Sequence, residues 1–334
     1  MSSSQPVPFA TTVDYHSNPQ FAARARLFKR PPPGKLSDAV RIFRHVLQIA
    51  AKEDRLLLSS SWGNIHPELV AAAWTGFWPR PRRPKIYLLG CMWEPNTGLR
   101  GWIERKLVQF ADRSIDRYLV QSTEELEVFP RTWKVPAQKV RFCPFFYSFS
   151  EKDLVQIRQP LTDGFIFAGG NSMRNYLPLV EAARRLPEVP FIFATHLLDD
   201  HQPLPPNVKA GQVSHQEFVS LMVASTATVV PIQSGLHRAA GQQTYLNAMW
   251  MGKPTIVSDA LGVRDHIRDR ETGLITAGTP ESYVEALCWL LDPANREAVE
   301  KMGLAARKDV RERFSFEKHV SRVLEIIDEA SQEE

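Results

Sequence analysis

The sequence contains no apolar run near the roughly 18 residues that a membrane-crossing helix requires, so a spanning segment is excluded. Cysteine is scarce. Cys91, Cys143 and Cys288 are far apart and form no Cys-x-x-Cys pair, which excludes a disulfide framework and a thiolate metal site. The start, MSSSQP, lacks a basic leader followed by an apolar core, so a cytoplasmic location is expected. The dinucleotide pattern Gly-x-Gly-x-x-Gly is absent, no short-period repeat occurs, and the only low-complexity tract is Pro31 to Pro33.

What remains is ordinary globular material. The 334 residues are 43% hydrophobic and 23% charged. A chain of this length exceeds one ordinary core, and two domains of about 150 residues each are expected. The net charge of +4 conceals an asymmetry. Residues 1–158 hold 24 Lys and Arg against 14 Asp and Glu, whereas residues 159–334 hold 17 against 23. A basic first half beside an acidic second half suggests that the first half meets something anionic.

The pattern after residue 160 is alternating α/β. Short apolar runs at 165–168, 191–194, 228–230 and 255–257, with a short strand opening at Val208, read as strands. Between them lie a helix with Leu177, Val180, Ala183 and Leu186 on its apolar face, a helix from Ser214 with Glu217 as a capping box, and a helix from Gln242 to Met251. The first half offers strands at 56–59, 85–89, 117–120 and 140–142, with helices at 37–51, 67–77, 99–111 and 123–129. The expected architecture is two Rossmann-like parallel-sheet domains, 1–158 and 159–312, facing a cleft. A linker is expected near 151–160, and residues 313–334 form a terminal helix.

Two glycine turns follow strands of the second half. Gly169 and Gly170 lead through Asn171 and Ser172 to Arg174, read here as the start of a helix. Glycine permits close backbone approach, helix N-terminal amides attract anions, and Arg174 adds a planar fork suited to phosphate. A cation at a helix N-terminus opposes the dipole unless an anion sits there. The second turn runs from Ser234 through His237, Arg238 and Gly241 to Gln242 and Gln243. Gln243 and Asn247 are four apart and share a helix face suited to hydroxyls. In the first half, His66, Trp93 and Glu94 follow candidate strands. Trp74, Phe77 and Trp78 lie beside Arg80, Arg82, Arg83 and Lys85, an aromatic and basic patch suited to an anionic membrane surface. Nothing resembles a nucleic-acid module.

The stretch GQQTYLNAMWMGKPTIVSDALGVRD (241–265), continued by ETGLI (271–275), resembles the retaining family 4 glycosyltransferases of the GT-B fold. The resemblance extends over 165–194, 205–208 and 213–217 and into the terminal stretch FSFEKHVSRVL (314–324); over 1–158 it is faint. It implies transfer of a sugar, with retention, from a nucleotide-diphosphate sugar to an unidentified acceptor. It also implies that the terminal helix crosses back to the first domain. Arg174 falls in the family's phosphate-binding region and, with Gln243, is the catalytic candidate. Gly169, Gly170, Asn171, Val213, His237, Gly241, Gln242, Gln243 and Asn247 are the donor-binding candidates, and His66, Trp93 and Glu94 face the acceptor. The family's two glutamates, seven residues apart, would fall at Ala239 and Asn247, so neither carboxylate is present. Asn247 could serve a ribose as an amide. The departure leaves open a catalytically silent partner of another transferase, or another sugar-nucleotide enzyme such as an epimerase. No Asp-x-Asp pair occurs, so neither metal nor cofactor beyond the sugar nucleotide is expected.

Overall fold

A computed structural model describes residues 7–29, 36–59, 66–151, 164–201 and 203–332. The chain forms two compact units, Met1–Pro144 with Glu317–Glu334, and Phe145–Phe316. The division thus lies earlier than 158/159, a position outside the described residues. The 312/313 position falls inside the helix Arg296–Arg313, and the chain leaves the second unit after Phe316. Phe145–Phe149 belong to the second unit because their rings pack there: Tyr147 stacks on Trp250 at 5.8 Å, and Phe149 is buried in its core.

The first unit holds a six-stranded parallel sheet ordered β2-β1-β3-β4-β5-β6. Its strands are β1 (Phe9–Thr11), β2 (Ala25–Leu27), β3 (Arg55–Ser59), β4 (Lys85–Leu89), β5 (Ile115–Val120) and β6 (Val140–Phe142). Central strands such as Leu56-Leu57-Leu58 are apolar throughout because helices cover both faces. The helices are α1 (Pro19–Ala22), α2 (Leu36–Ala50), α3 (Pro67–Thr75), α4 (Gly98–Ala111) and α5 (Glu125–Trp133). The fifth starts and ends later than 123–129 because Phe129 and Trp133 both bury their rings in the core, so the helix runs through Pro130. The three-residue strands β1 and β2 have no counterpart among the sequence-based expectations.

The second unit repeats the plan in the order β12-β11-β10-β7-β8-β9. Its strands are β7 (Ile166–Gly169), β8 (Phe191–Ala194), β9 (Val208–Gly211), β10 (Ala227–Val230), β11 (Thr255–Ser258) and β12 (Leu274–Thr276). Its helices are α6 (Leu177–Arg185), α7 (His215–Ala224), α8 (Gln242–Trp250), α9 (Pro280–Leu291) and α10 (Arg296–Arg313). The Ser214 hydroxyl caps α7 by accepting from the Glu217 amide at 3.2 Å. On α6 the buried residues are Leu179, Val180, Ala182 and Ala183, while Leu177 is exposed.

The last helix, α11 (Phe316–Gln332), packs in the first unit. Arg24 of the α1 region forms a two-pronged ion pair with Asp328, and Arg322 donates to the Phe142 carbonyl. His319 donates through Nδ1 to the Pro144 carbonyl at 2.7 Å and lies 3.2 Å from the Tyr15 hydroxyl through Nε2.

Candidate functional site

In the second unit the chain winds from β7 outward to β8 and β9, then returns to the other side for β10, β11 and β12. The topological switch point therefore lies between β7 and β10, where loops leaving the carboxyl ends of adjacent strands part and open a crevice. The loop after β7 carries Gly170 to Arg174, and the loop after β10 carries Arg238 and Gly241. One bridge, Arg174 to Ile232, joins the two loops.

The two arginines converge on Ser172. Arg174 donates through Nη1 to the Ser172 carbonyl at 2.8 Å, and Arg238 donates through Nη2 to the Ser172 hydroxyl at 3.3 Å. Arg174 also donates to the Thr244 hydroxyl at 3.2 Å, and its Nε is buried with no hydrogen-bond partner. Arg238 is buried and donates to the Ala239 carbonyl. Desolvation pushes the Arg174 pKa below the usual guanidinium value, and the Arg238 charge pushes the same way. Two guanidinium groups meet at one serine, and the buried Arg174 Nε–H has no partner, an arrangement whose chemistry suits a multiply charged anion.

Glycine is needed at two points. Gly170 has φ +107°, and a Cβ there would come within 3.3 Å of the Arg174 guanidinium. Gly241 caps α8 at φ +84°, where a Cβ would lie 2.9 Å from Ile232 Cδ1. Gly169 closes β7 against the Phe218 ring.

The remaining sequence candidates separate into groups. Arg174 precedes α6 by three residues, so its role does not come from a helix N-terminus; Asn175 and Tyr176 complete the turn first. Asn171 accepts through Oδ1 from the Thr195 hydroxyl and the His196 amide, tying the β7 and β8 loops together. Gln242 is buried at the start of α8 with Nε2 unpartnered, four positions after Arg238. His237 and Gln243 are exposed, and Val213 is half-buried against the core.

Asn247 differs from the expectation. It is 2% exposed, and its Oδ1 accepts from the Ser148 and Phe149 amides at 2.8 and 3.3 Å while Nδ2 donates to the Ser148 hydroxyl. Gln243 donates to the same hydroxyl. Both amides of this helix face thus hold the segment entering the unit: the Asn247 oxygen is taken up by two backbone amides and one of its two N–H groups by Ser148. Sequence reasoning missed Ser148 and Thr244; neither has a signal beyond its ordinary polar side chain.

In the first unit, Trp93 is buried among Tyr118, Phe129 and Trp133. It is a core residue, not an acceptor-facing one, because the chain turns inward after β4. His66 sits before α3 with φ 46° and leans on the Trp93 ring at 5.6 Å; Glu94 is half-buried. Trp74 and Phe77 are exposed, but Trp78 packs on the core and Lys85 begins β4, so neither contributes to an open patch.

Residues 194–293, which carry the β10 loop and α8, match the family model for glycosyl transferases group 1. The trehalose synthase of Pyrococcus horikoshii is 34% identical over 101 residues, which are 30% of this chain and 23% of that protein, so this chain spans under a quarter of that relative. Among solved structures, HepE of Anabaena in complex with UDP and glucose matches with a TM-score of 0.68 and 18% identity, over 97% of this chain and 91% of its own. Sucrose-phosphate synthase from Thermosynechococcus elongatus matches with a TM-score of 0.66 and 16% identity, over 93% and 84%. At these identities the structures establish the fold, two Rossmann-like units of the GT-B type, over nearly the whole chain. Among the described residues no helix is long and apolar enough to cross a membrane.

Proposed function

We propose that this chain is a glycosyltransferase that takes its sugar from a nucleotide-diphosphate donor held at the switch point of the second unit. The observation that carries this reading is the convergence of Arg174 and Arg238 on Ser172, beside and within a segment of group 1 type. The bond from the anomeric carbon to the diphosphate oxygen breaks, and the nucleoside diphosphate leaves with the electron pair. An acceptor hydroxyl forms the new bond on the same face, with retention, and its proton ends on the leaving phosphate. Fixed cations beside the departing oxygens stabilise charge that develops only as the bond breaks. Arg174 and Arg238 supply that charge in this reading, without a metal.

HepE binds UDP, which makes uridine diphosphate the first donor portion to test. The acceptor is assigned to the basic first unit, in a cytoplasmic protein that meets the anionic face of a membrane; lipid-linked acceptors, polysaccharides and small molecules all fit. Melting of the chain with UDP, GDP, ADP and TDP tests the donor site. A ligand at 100 times its dissociation constant adds about 2.7 kcal/mol. One of the four is expected to stabilise, and no stabilisation by any of them overturns the proposal. Release of nucleotide from the matching sugar donor then separates a transferase from a silent binding partner, and conversion of the donor into an epimeric nucleotide sugar with no net release of nucleotide separates an epimerase.

A further inference from the structure

Helix α4 has an apolar stripe on the wrong side for a core helix. Gly101, Val108 and Ala111 face inward and are buried. On the opposite side Leu99, Trp102 and Ile103 are 74, 54 and 53% exposed. With Lys106 and Phe110 they recur at intervals of three, four and seven residues, which places all five on one face. The stripe continues onto α3: Phe110 contacts the Phe77 ring at 4.7 Å, and Phe77 contacts Trp74 at 5.9 Å. Phe110 itself is partly buried against the core, but soluble surfaces scatter exposed apolar side chains singly, and a cluster such as Leu99, Trp102 and Ile103 on the same helix face marks an interaction site.

The charges around the band choose the occupant. Arg100 on α4 is ion-paired with Glu104 at 3.2 Å, but Lys106 lies on the same helix, Arg113 stacks over the Phe110 ring at 4.7 Å, and Arg80 and Arg82 follow α3, so the surroundings of the band are predominantly cationic. A second copy of the same face would bring these cations against one another across a two-fold contact. Tryptophan and phenylalanine at headgroup depth, with arginine and lysine above them, match an anionic bilayer surface instead. We infer that α4 is an in-plane membrane-docking helix that inserts Leu99, Trp102 and Ile103 between anionic lipids, steadied by Lys106, Arg80 and Arg82. This deepens the membrane part of the proposed function and rests on the first unit alone, independently of nucleotide binding.

The test is co-sedimentation of the full chain with phosphatidylcholine vesicles containing about 30% phosphatidylglycerol, at about 50 mM salt, where surface charge is little screened. Binding is expected there, weak or absent with pure phosphatidylcholine, and declining as salt rises. The variant L99S/W102S/I103S should bind at least about tenfold more weakly, and R80E/K106E, which leaves the Arg100–Glu104 pair intact, should lose a similar factor. Melting temperature and UDP response should be unchanged in both, so a failed docking surface and a failed donor site give different results. Should the triple variant not fold, W102F in the parent protein serves instead. Quenching of tryptophan emission by acyl-chain-brominated lipid should fall in W102F while binding persists. Equal binding of parent and variants, equal binding to neutral vesicles, or a variant that changes only the oligomeric state in lipid-free solution overturns the inference.

Discussion

Arg174 and Arg238 reach Ser172 from two different loops, one taking its carbonyl and the other its hydroxyl. The arrangement fixes both guanidinium planes through a single small residue before any ligand arrives, so little ordering remains to be done on binding.

Arg174→Ala is expected to weaken nucleoside-diphosphate binding by about 2 kcal/mol, the scale of a lost charge-assisted contact. The bare nucleoside should bind as before. Titration calorimetry with both ligands checks this, and equal losses for the two would show that Arg174 does not hold phosphate.

Asn247→Leu leaves the Ser148 and Phe149 amides without their acceptor. The expected cost is about 1–3 kcal/mol of stability in the ligand-free protein. Affinities for a ribonucleotide and its 2′,3′-dideoxy analogue should change alike. A selective loss for the ribonucleotide, with an unchanged melting temperature, would restore a ribose contact.

The buried histidines set the acid limb of stability. Desolvation lowers His266 to about 4, with its Nδ1 donating to the Gly262 carbonyl and its Nε2 buried without a partner. Desolvation likewise lowers His319 to about 4. A histidine whose folded pKa lies below its unfolded value binds fewer protons when folded. Its contribution is therefore present above about pH 6.5 and is lost as pH falls from there toward 4. Each should cost roughly 2 kcal/mol by pH 5. Urea unfolding at pH 7.5 and 5 measures the loss, and His266→Asn, whose amide can replace Nδ1–H, should lose less than the parent over the same interval.

Gly235 and Gly241 both lie in the left-handed region, at φ +74° and +84°. Nothing lies within 4 Å of a Cβ at Gly235, whereas at Gly241 the Ile232 and Val230 side chains block it. Gly235→Ala should cost only the backbone penalty of about 1–2 kcal/mol, and Gly241→Ala clearly more. Equal melting temperatures for the two variants would mean that the α8 entry loop yields freely.

The central strands of both sheets were legible because parallel strands buried on both faces appear as short unbroken apolar runs, as in residues 86–89 and 165–168. β1 and β2 were not, since three residues carry no periodicity. Arg174 and the glycine turns were legible as types at a strand exit. Their partners were not: Ser172 and Thr244 became significant only when two loops met at the switch point. Trp93 and Asn247 read as site residues because local sequence gives no sign of which rings or amides will close over a side chain from about 25 to 100 positions away.

The first unit is assembled from two stretches of chain separated by the whole of the second. Arg24 finds Asp328 only after 304 positions, and His319 must reach Pro144 and Tyr15. On a ribosome extending the chain by about 5–20 residues per second, the second unit emerges as one continuous piece and can fold on emergence. The first unit waits about 10–40 s for its last helix, with the α11 side of its core open meanwhile. Newly made chains are thus most vulnerable to proteases and to mispairing in the half that is synthesised first.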